Sequence, residues 1–145
     1  MSQQDSPVLV SRDARGVATL TLNRPATRNA LDPEYLQRMI AAIAALDVDP
    51  SVRVLVLRGE GKSFSAGGSL AFLRALPDMD AESIRQNVYE RFQGIVRALV
   101  NCSKPVIASM QGAVVGAACE MAAACDLRLA ADDAFFCEKI GRAHV

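Results

Sequence analysis

Lys104–Asp126 reads KPVIASMQGAVVGAACEMAAACD, and the fold turns on how this stretch is divided. Val106–Met110 is a short apolar run directly behind a proline, the composition of a buried strand. Gln111-Gly112 supplies a turn. Gly116-Ala117-Ala118 then opens an apolar helix that carries one carboxylate, Glu120. A charge among Ala, Cys and Met is costly to desolvate unless a partner pairs it or a reaction uses it. Small residues where a helix begins leave backbone N–H groups unpaired and let a ligand approach them. Amide donors for a developing negative charge, with an acid/base one turn away, are the parts that chemistry on a carbonyl compound needs.

The flanking segments supply the frame. Upstream, Asp80 is placed to cap a long helix on which Ile84, Val88, Phe92, Ile95, Val96 and Leu99 make an apolar stripe. Downstream, Leu127–Ala130 reads as the next strand. Val52–Leu57 is a nearly continuous β-branched run, as expected of a strand covered on both sides. It leads into Gly59–Gly68, GEGKSFSAGG, a loop with four glycines. Ser69–Leu76 follows as a short helix stopped by Pro77. At the N-terminal end, Val8–Arg12 and Val17–Leu22 flank Asp13-Ala14-Arg15-Gly16 as a hairpin, which proline ends at Asn23-Arg24-Pro25. Asp32 then caps a helix with Pro33 at its first position, and Leu36, Met39, Ile40, Ile43 and Leu46 share one face. Strand, helix and parallel strand together predict an α/β core. No internal repeat is visible.

Composition narrows the function classes. The 145 residues fit one domain, with 51% hydrophobic and 22% charged content. Sixteen basic residues balance sixteen acidic ones, so no net field draws the chain to nucleic acid or to an anionic membrane. MSQQDSP lacks the pattern of a signal peptide, and charges interrupt every apolar run short of a membrane span. Cys102, Cys119, Cys125 and Cys137 form no C-x-x-C pair, which predicts a reduced, cytoplasmic protein without a metal site.

Several chemistries lose their footing on spacing alone. Ser65-Ala66-Gly67-Gly68-Ser69-Leu70 can bring backbone close to a ligand, or it is only a turn. It has neither phosphate-loop nor dinucleotide-loop spacing. His144 is the single histidine and stands next to the last residue, so neither a serine nor a cysteine nucleophile has a base. Gly116-Ala117-Ala118 serves donors or close helix packing equally well. Glu120 faces a pocket or pairs with a base such as Arg128. Asp126 reads as a helix-ending cap or a partner of Arg128. Arg24 and Arg28 lie in the proline loop, where a solvated face is the default.

Taken together, TLNRPATRNAL (Thr21–Leu31), VRVLVLRGEGKSFSAGGSL (Val52–Leu70), KPVIASMQGAVVGAACEMAAACDLRLAADDAFF (Lys104–Phe136) and the helix before Lys104 resemble the crotonase superfamily, the enoyl-CoA hydratase/isomerase family. The resemblance spans nearly all of Val8–Phe136. It implies a crotonase-like spiral of β-β-α units, of which this chain is the N-terminal portion only. It further implies an enzyme that adds water across the C2=C3 bond of a trans-2-enoyl-CoA thioester. The backbone N–H groups of Gly68 and Ala117 would form an oxyanion hole, with Gly67 and Gly116 beside them, and Glu120 would be the first of two proton-handling carboxylates. Ala26, Thr27 and Arg28 would hold the CoA head, Ala66 would contact adenine through its backbone, and Leu70 would line the substrate site. Coenzyme A is part of the substrate, so no separate cofactor is expected, and the full-length protein would be a homotrimer or dimer of trimers. An isomerase that shifts the double bond, or a catalytically incompetent CoA-binding fragment, are the alternatives.

The sequence departs from the family pattern in two places. Ala117 and Ala118 stand where many members have glycines, which a backbone donor tolerates if its angles are helical. The second carboxylate of the family falls beyond Phe136, and Glu138 stops short of its position. The closing residues Ile140–Val145, IGRAHV, match the translation of a sequencing-adapter stretch, ATC GGA AGA GCA CAC GTC. Residues 1–139 are therefore expected to be part of one crotonase-like domain, and 140–145 a non-native tail.

Overall fold

The computed structural model describes residues 6–138; the expected tail at 140–145, with His144, lies outside them. A five-stranded sheet runs in the order β1 (Val8–Arg12), β2 (Val17–Leu22), β3 (Val54–Gly59), β4 (Val106–Met110), β6 (Leu127–Ala130). The first pair is antiparallel and all later pairs are parallel. The hairpin closes as its sequence predicts. Gly16 takes φ +82°, and Asp13 exchanges main-chain hydrogen bonds with Gly16 and Val17.

One face of the sheet carries the core. Ala18, Leu20 and Leu22, Leu55 and Leu57, and Val106, Ala108 and Met110 are all buried there. Onto them pack α1 (Pro33–Asp47), through Tyr35, Leu36, Met39, Ile43 and Leu46, then α4 (Gln93–Val100) through Ile95 and Leu99. Next comes α5 (Ala117–Ala124), through Ala118, Met121 and Ala122. Full burial of one such aliphatic side chain contributes about 2 kcal/mol, so this face dominates stability. The expectation of a strand at Val52–Leu57 covered on both sides is corrected. The strand is Val54–Gly59, and Leu55, Leu57 and Gly59 are buried while Val54 and Val56 are only half-buried and Arg58 is exposed. A β-branched run marks a strand, but not how many faces are covered.

Helix boundaries follow the caps. Asp32 accepts from the Tyr35 amide at 2.8 Å, with Pro33 at the first position of α1. Ser69 caps α2 (Leu70–Ala75) by accepting from Phe72, so the helix expected from Ser69 begins one residue later. Asp80 caps α3 (Ala81–Ile84), as expected. Beyond it the chain is not one regular helix: Arg85–Phe92 is a π-helix, and α4 resumes at Gln93.

Two short strands escaped the sequence. β5 (Ala113–Val115) follows β4 and pairs in parallel with β7 (Phe135–Cys137) in a second small sheet. The unit β4–β5–α5 is thus a β-β-α turn, and β6–β7 repeats its first two elements. This is the α/β spiral the resemblance implies. The repeat is one of backbone course, which explains why no repeat is visible in the residues.

Candidate active site

The loop after β3 and the segment after β4 are zipped together by their main chains. Phe64 N–H donates to the Gln111 carbonyl at 2.7 Å, Ser65 N–H to Ala113 at 3.0 Å, and Val115 N–H to Ser65 at 3.1 Å. The Gln111 carboxamide donates to the carbonyls of Gly59 and Gly61 at 2.8 and 2.9 Å. Two glycines permit the approach. A Cβ at Gly112 (φ +55°) would sit 2.0 Å from the Lys62 carbonyl oxygen, and one at Gly67 (φ +80°) 2.4 Å from that of Val115.

A third segment, Arg24–Leu31, clasps the same loop from the other side. Leu31 N–H donates to Gly67 and Ser69 N–H to Leu31, each at 2.7 Å, while Ala66 N–H donates to the Arg28 carbonyl at 2.9 Å. Asn29, fully buried at φ 54°, is the centre of this clasp. Nothing in the hydrophobic pattern singles it out, and the sequence reading passed over it.

Where the β3 loop and the start of α5 meet, they wall a cavity of about 460 Å³. Its lining combines backbone of Ala66, Gly67, Gly68, Gly116 and Ala117 and the carboxylates Glu120 and Glu138 with the apolar side chains of Leu70, Phe72, Leu73, Leu76, Val88 and Phe92. Phe72 and Phe92 stack at 4.9 Å between ring centroids. Seven of the ten predicted site residues therefore share one cavity. Among the described residues, no acceptor stands opposite the N–H of Gly68 or of Ala117.

The other three residues lie elsewhere. Ala26 and Thr27 line a separate recess of about 410 Å³ with Arg24, Asp32 and Ser69 among its neighbours. Arg28 lines neither space and is exposed, in the left-handed region at φ 53°. Arg24 is already engaged: its guanidinium pairs with Asp32 and lies 4.3 Å over the Tyr35 ring. Of the two loop arginines, only Arg28 is free of an ion pair among the described residues.

Glu120 requires a correction. It sits in the cavity wall, but it is exposed rather than desolvated, and it makes no ion pair among the described residues. α5 turns this position outward while Ala118, Met121 and Ala122 take the buried face. Arg128 is not its partner, because that guanidinium donates to the carbonyls of Ala122, Ala123 and Cys125 at the end of α5. Nor does Arg128 pair with Asp126, whose carboxylate accepts from Val106 N–H at 2.7 Å and so ties α5 to the start of β4.

Ala117 is the first residue of α5 and needs no glycine. The unusual angles fall on Gly116, at φ 54° and ψ −123°, whose N–H donates to the Cys137 carbonyl at 2.9 Å. Glu138, which the sequence set aside, shares the cavity with Glu120. Beside it, burial and the Glu138 carboxylate push the Cys119 thiol up from its usual range, although the Cys137 amide pulls the other way. Among the described residues no cluster of His, Cys, Asp or Glu is arranged to hold a metal, and no helix is long and apolar enough to cross a membrane.

Residues 12–141 match the sequence profile of the enoyl-CoA hydratase/isomerase family. A crotonyl-CoA hydratase of Syntrophomonas wolfei is 38% identical over 121 residues, which is 83% of this chain and 45% of the relative. A peroxisomal Delta(3,5)-Delta(2,4)-dienoyl-CoA isomerase of Arabidopsis thaliana is 33% identical over 126 residues, 81% of this chain and 45% of the relative. The crystal structure of an enoyl-CoA hydratase from Mycobacterium smegmatis superposes with a TM-score of 0.84 at 39% identity, over 91% of this chain and 50% of that one. The chain spans about half the length of the curated relatives it matches.

Proposed function

The chain belongs to the enoyl-CoA hydratase/isomerase family, and from that premise we propose that its cavity is the thioester site of an enzyme that hydrates trans-2-enoyl-CoA. The observation that carries this reading is the pair of amides at Gly68 and Ala117, unengaged and in the wall of one cavity with Glu120. Both would donate to the thioester oxygen, which gains negative charge as the enolate forms. One such donor stabilises the transition state by about 3 kcal/mol. Glu120 would position water and move a proton at the C2=C3 bond, and Glu138 is the second carboxylate in reach of the same space. The apolar side chains would take the acyl group. The recess at Ala26 and Thr27, with the exposed Arg28 next in the chain, would take the nucleotide end of CoA.

Shifting the double bond needs the same amides and a single proton carrier, and Glu120, exposed and without an ion pair among the described residues, suits that role equally. Crotonyl-CoA and a trans-3-enoyl-CoA, offered to the full-length gene product, separate the two. A product heavier by one water establishes hydration. A double-bond isomer of unchanged mass establishes isomerisation. Neither product refutes the assignment. A homotrimer or dimer of trimers is proposed for the full-length protein, to be checked by light scattering.

A further inference from the structure

The mechanism above gives Asn29 no part, yet its fully buried side chain makes four hydrogen bonds, all to main-chain groups. Its Nδ2 lies 3.0 Å from the carbonyls of Glu60 and Ser63 and 3.1 Å from that of Phe64, so two N–H bonds are shared among three acceptors. Its Oδ1 accepts from Arg24 N–H at 2.8 Å, and its own N–H donates to the Arg24 carbonyl at 2.9 Å, closing the turn around Pro25–Arg28. Its carbonyl accepts from the Ser65 hydroxyl at 2.8 Å, and Ser65 Oγ in turn accepts from Gly67 N–H at 3.1 Å.

We propose that Asn29 is a positioning residue that fixes the Pro25–Arg28 loop relative to Gly67 and Gly68, setting the distance between nucleotide grip and thioester oxygen. The inference rests on the functional reading given above. Its logic is that the two ends of the site have unequal support. Gly67 and Gly68 are held by the main-chain bonds of Phe64, Ser65 and Val115 on one side and of Leu31 with Gly67 and Ser69 on the other, none of which uses the Asn29 carboxamide. The loop Pro25–Arg28 is exposed and ends in the left-handed pair Arg28-Asn29; besides the Ala66 N–H bond to the Arg28 carbonyl, Asn29 is what ties it to the β3 loop. Removing the carboxamide would release the grip and leave the thioester end standing.

Two substrates distinguish positioning from mere folding: an enoyl-CoA, and the same enoyl group on N-acetylcysteamine, which lacks the nucleotide. N29G keeps the backbone angles and deletes the side chain. In the full-length gene product it is expected to lower kcat/KM for the CoA thioester by about 10-fold to 100-fold, the scale of a small misplacement, and to leave the short thioester nearly unchanged. S65A, which cuts only the hydroxyl link, is expected to show the same selectivity in smaller measure and carries the test if N29G does not stay folded. Equal losses on both substrates, or no loss, overturn the proposal and leave the hydratase reading standing. Absence of turnover of either thioester by the unsubstituted protein overturns that reading, and this inference with it.

Discussion

Gly67 and Val115 meet through the main chain, closely enough that a Cβ at position 67 would lie 2.4 Å from the Val115 carbonyl oxygen. The contact joins the loop after β3 to the residues that open α5, and so sets the cavity's backbone wall.

Adjacent glycines should therefore respond oppositely to alanine. Gly67→Ala meets both the overlap and a φ of +80°, and is expected to cost about 2 kcal/mol or more in urea unfolding. At Gly68 the added methyl would be 3.4 Å from the Leu73 side chain, an ordinary contact. Gly68→Ala is expected to stay within about 0.5 kcal/mol, with the backbone N–H still in place.

Gly112 and Gly116 separate strain from collision. At Gly116, among the described residues, no atom beyond its chain neighbours would lie within 4 Å of an added Cβ, so alanine there incurs only the cost of φ 54°, about 1–3 kcal/mol. At Gly112 the same angle is joined by a 2.0 Å overlap with the Lys62 carbonyl. Gly112→Ala should be the more destabilising in paired denaturation curves; the reverse order would contradict this packing.

Glu120→Gln tests the carboxylate without disturbing the fold. Because Glu120 is exposed and unpaired among the described residues, unfolding free energy should change by no more than about 0.5 kcal/mol. Turnover of the full-length protein should fall by about 100-fold or more. Unchanged turnover would remove Glu120 from the mechanism.

Acid should weaken the fold modestly through a definable set of solvent-accessible carboxylates. The Ser103 hydroxyl and then its amide hold the Asp47 carboxyl below the usual range; Arg15 does so for Asp13, and Arg85 draws Glu82 down to about 2. Groups with depressed folded-state values contribute stability above their unfolded values, and that contribution disappears as pH falls through the folded ones. The unfolding midpoint should be flat near neutrality and decline from about pH 4 to about pH 2. Asp47→Asn should flatten part of that limb.

Thiol labelling reports the core. Burial pushes Cys125 up to about 12, and it is almost wholly enclosed. Under native conditions iodoacetamide should modify Cys137 and Cys102 well before Cys125, which should react only on unfolding. A mass-spectrometric time course with Cys125 labelled at the rate of Cys137 would contradict its placement.

The sequence was most legible where single residues speak for themselves. Asp32-Pro33 and Asp80 announce helix starts, the hairpin glycine announces a turn, and the two small-residue runs announce close approach of backbone. β5 and β7 stayed hidden because three-residue strands carry too little periodicity, and their pairing is set by β4 and β6 before them. Glu120 was found, but its burial was misjudged, since apolar neighbours along a helix do not say which side faces solvent. Asn29 was missed for a related reason. Its bonds reach Glu60, Ser63 and Phe64, more than thirty positions away, and no local spacing encodes such a reach.

The close approach of Gly112 to the Lys62 carbonyl has a bearing on how this architecture changes over generations. Peptide groups, common to every residue, are what interlock here. Side chains among the apolar lining can be exchanged for others without moving that interlock, so the cavity's shape can change by drift at Phe72, Val88 or Phe92. Innovation is cheap at the periphery and forbidden at a few hydrogen-sized gaps.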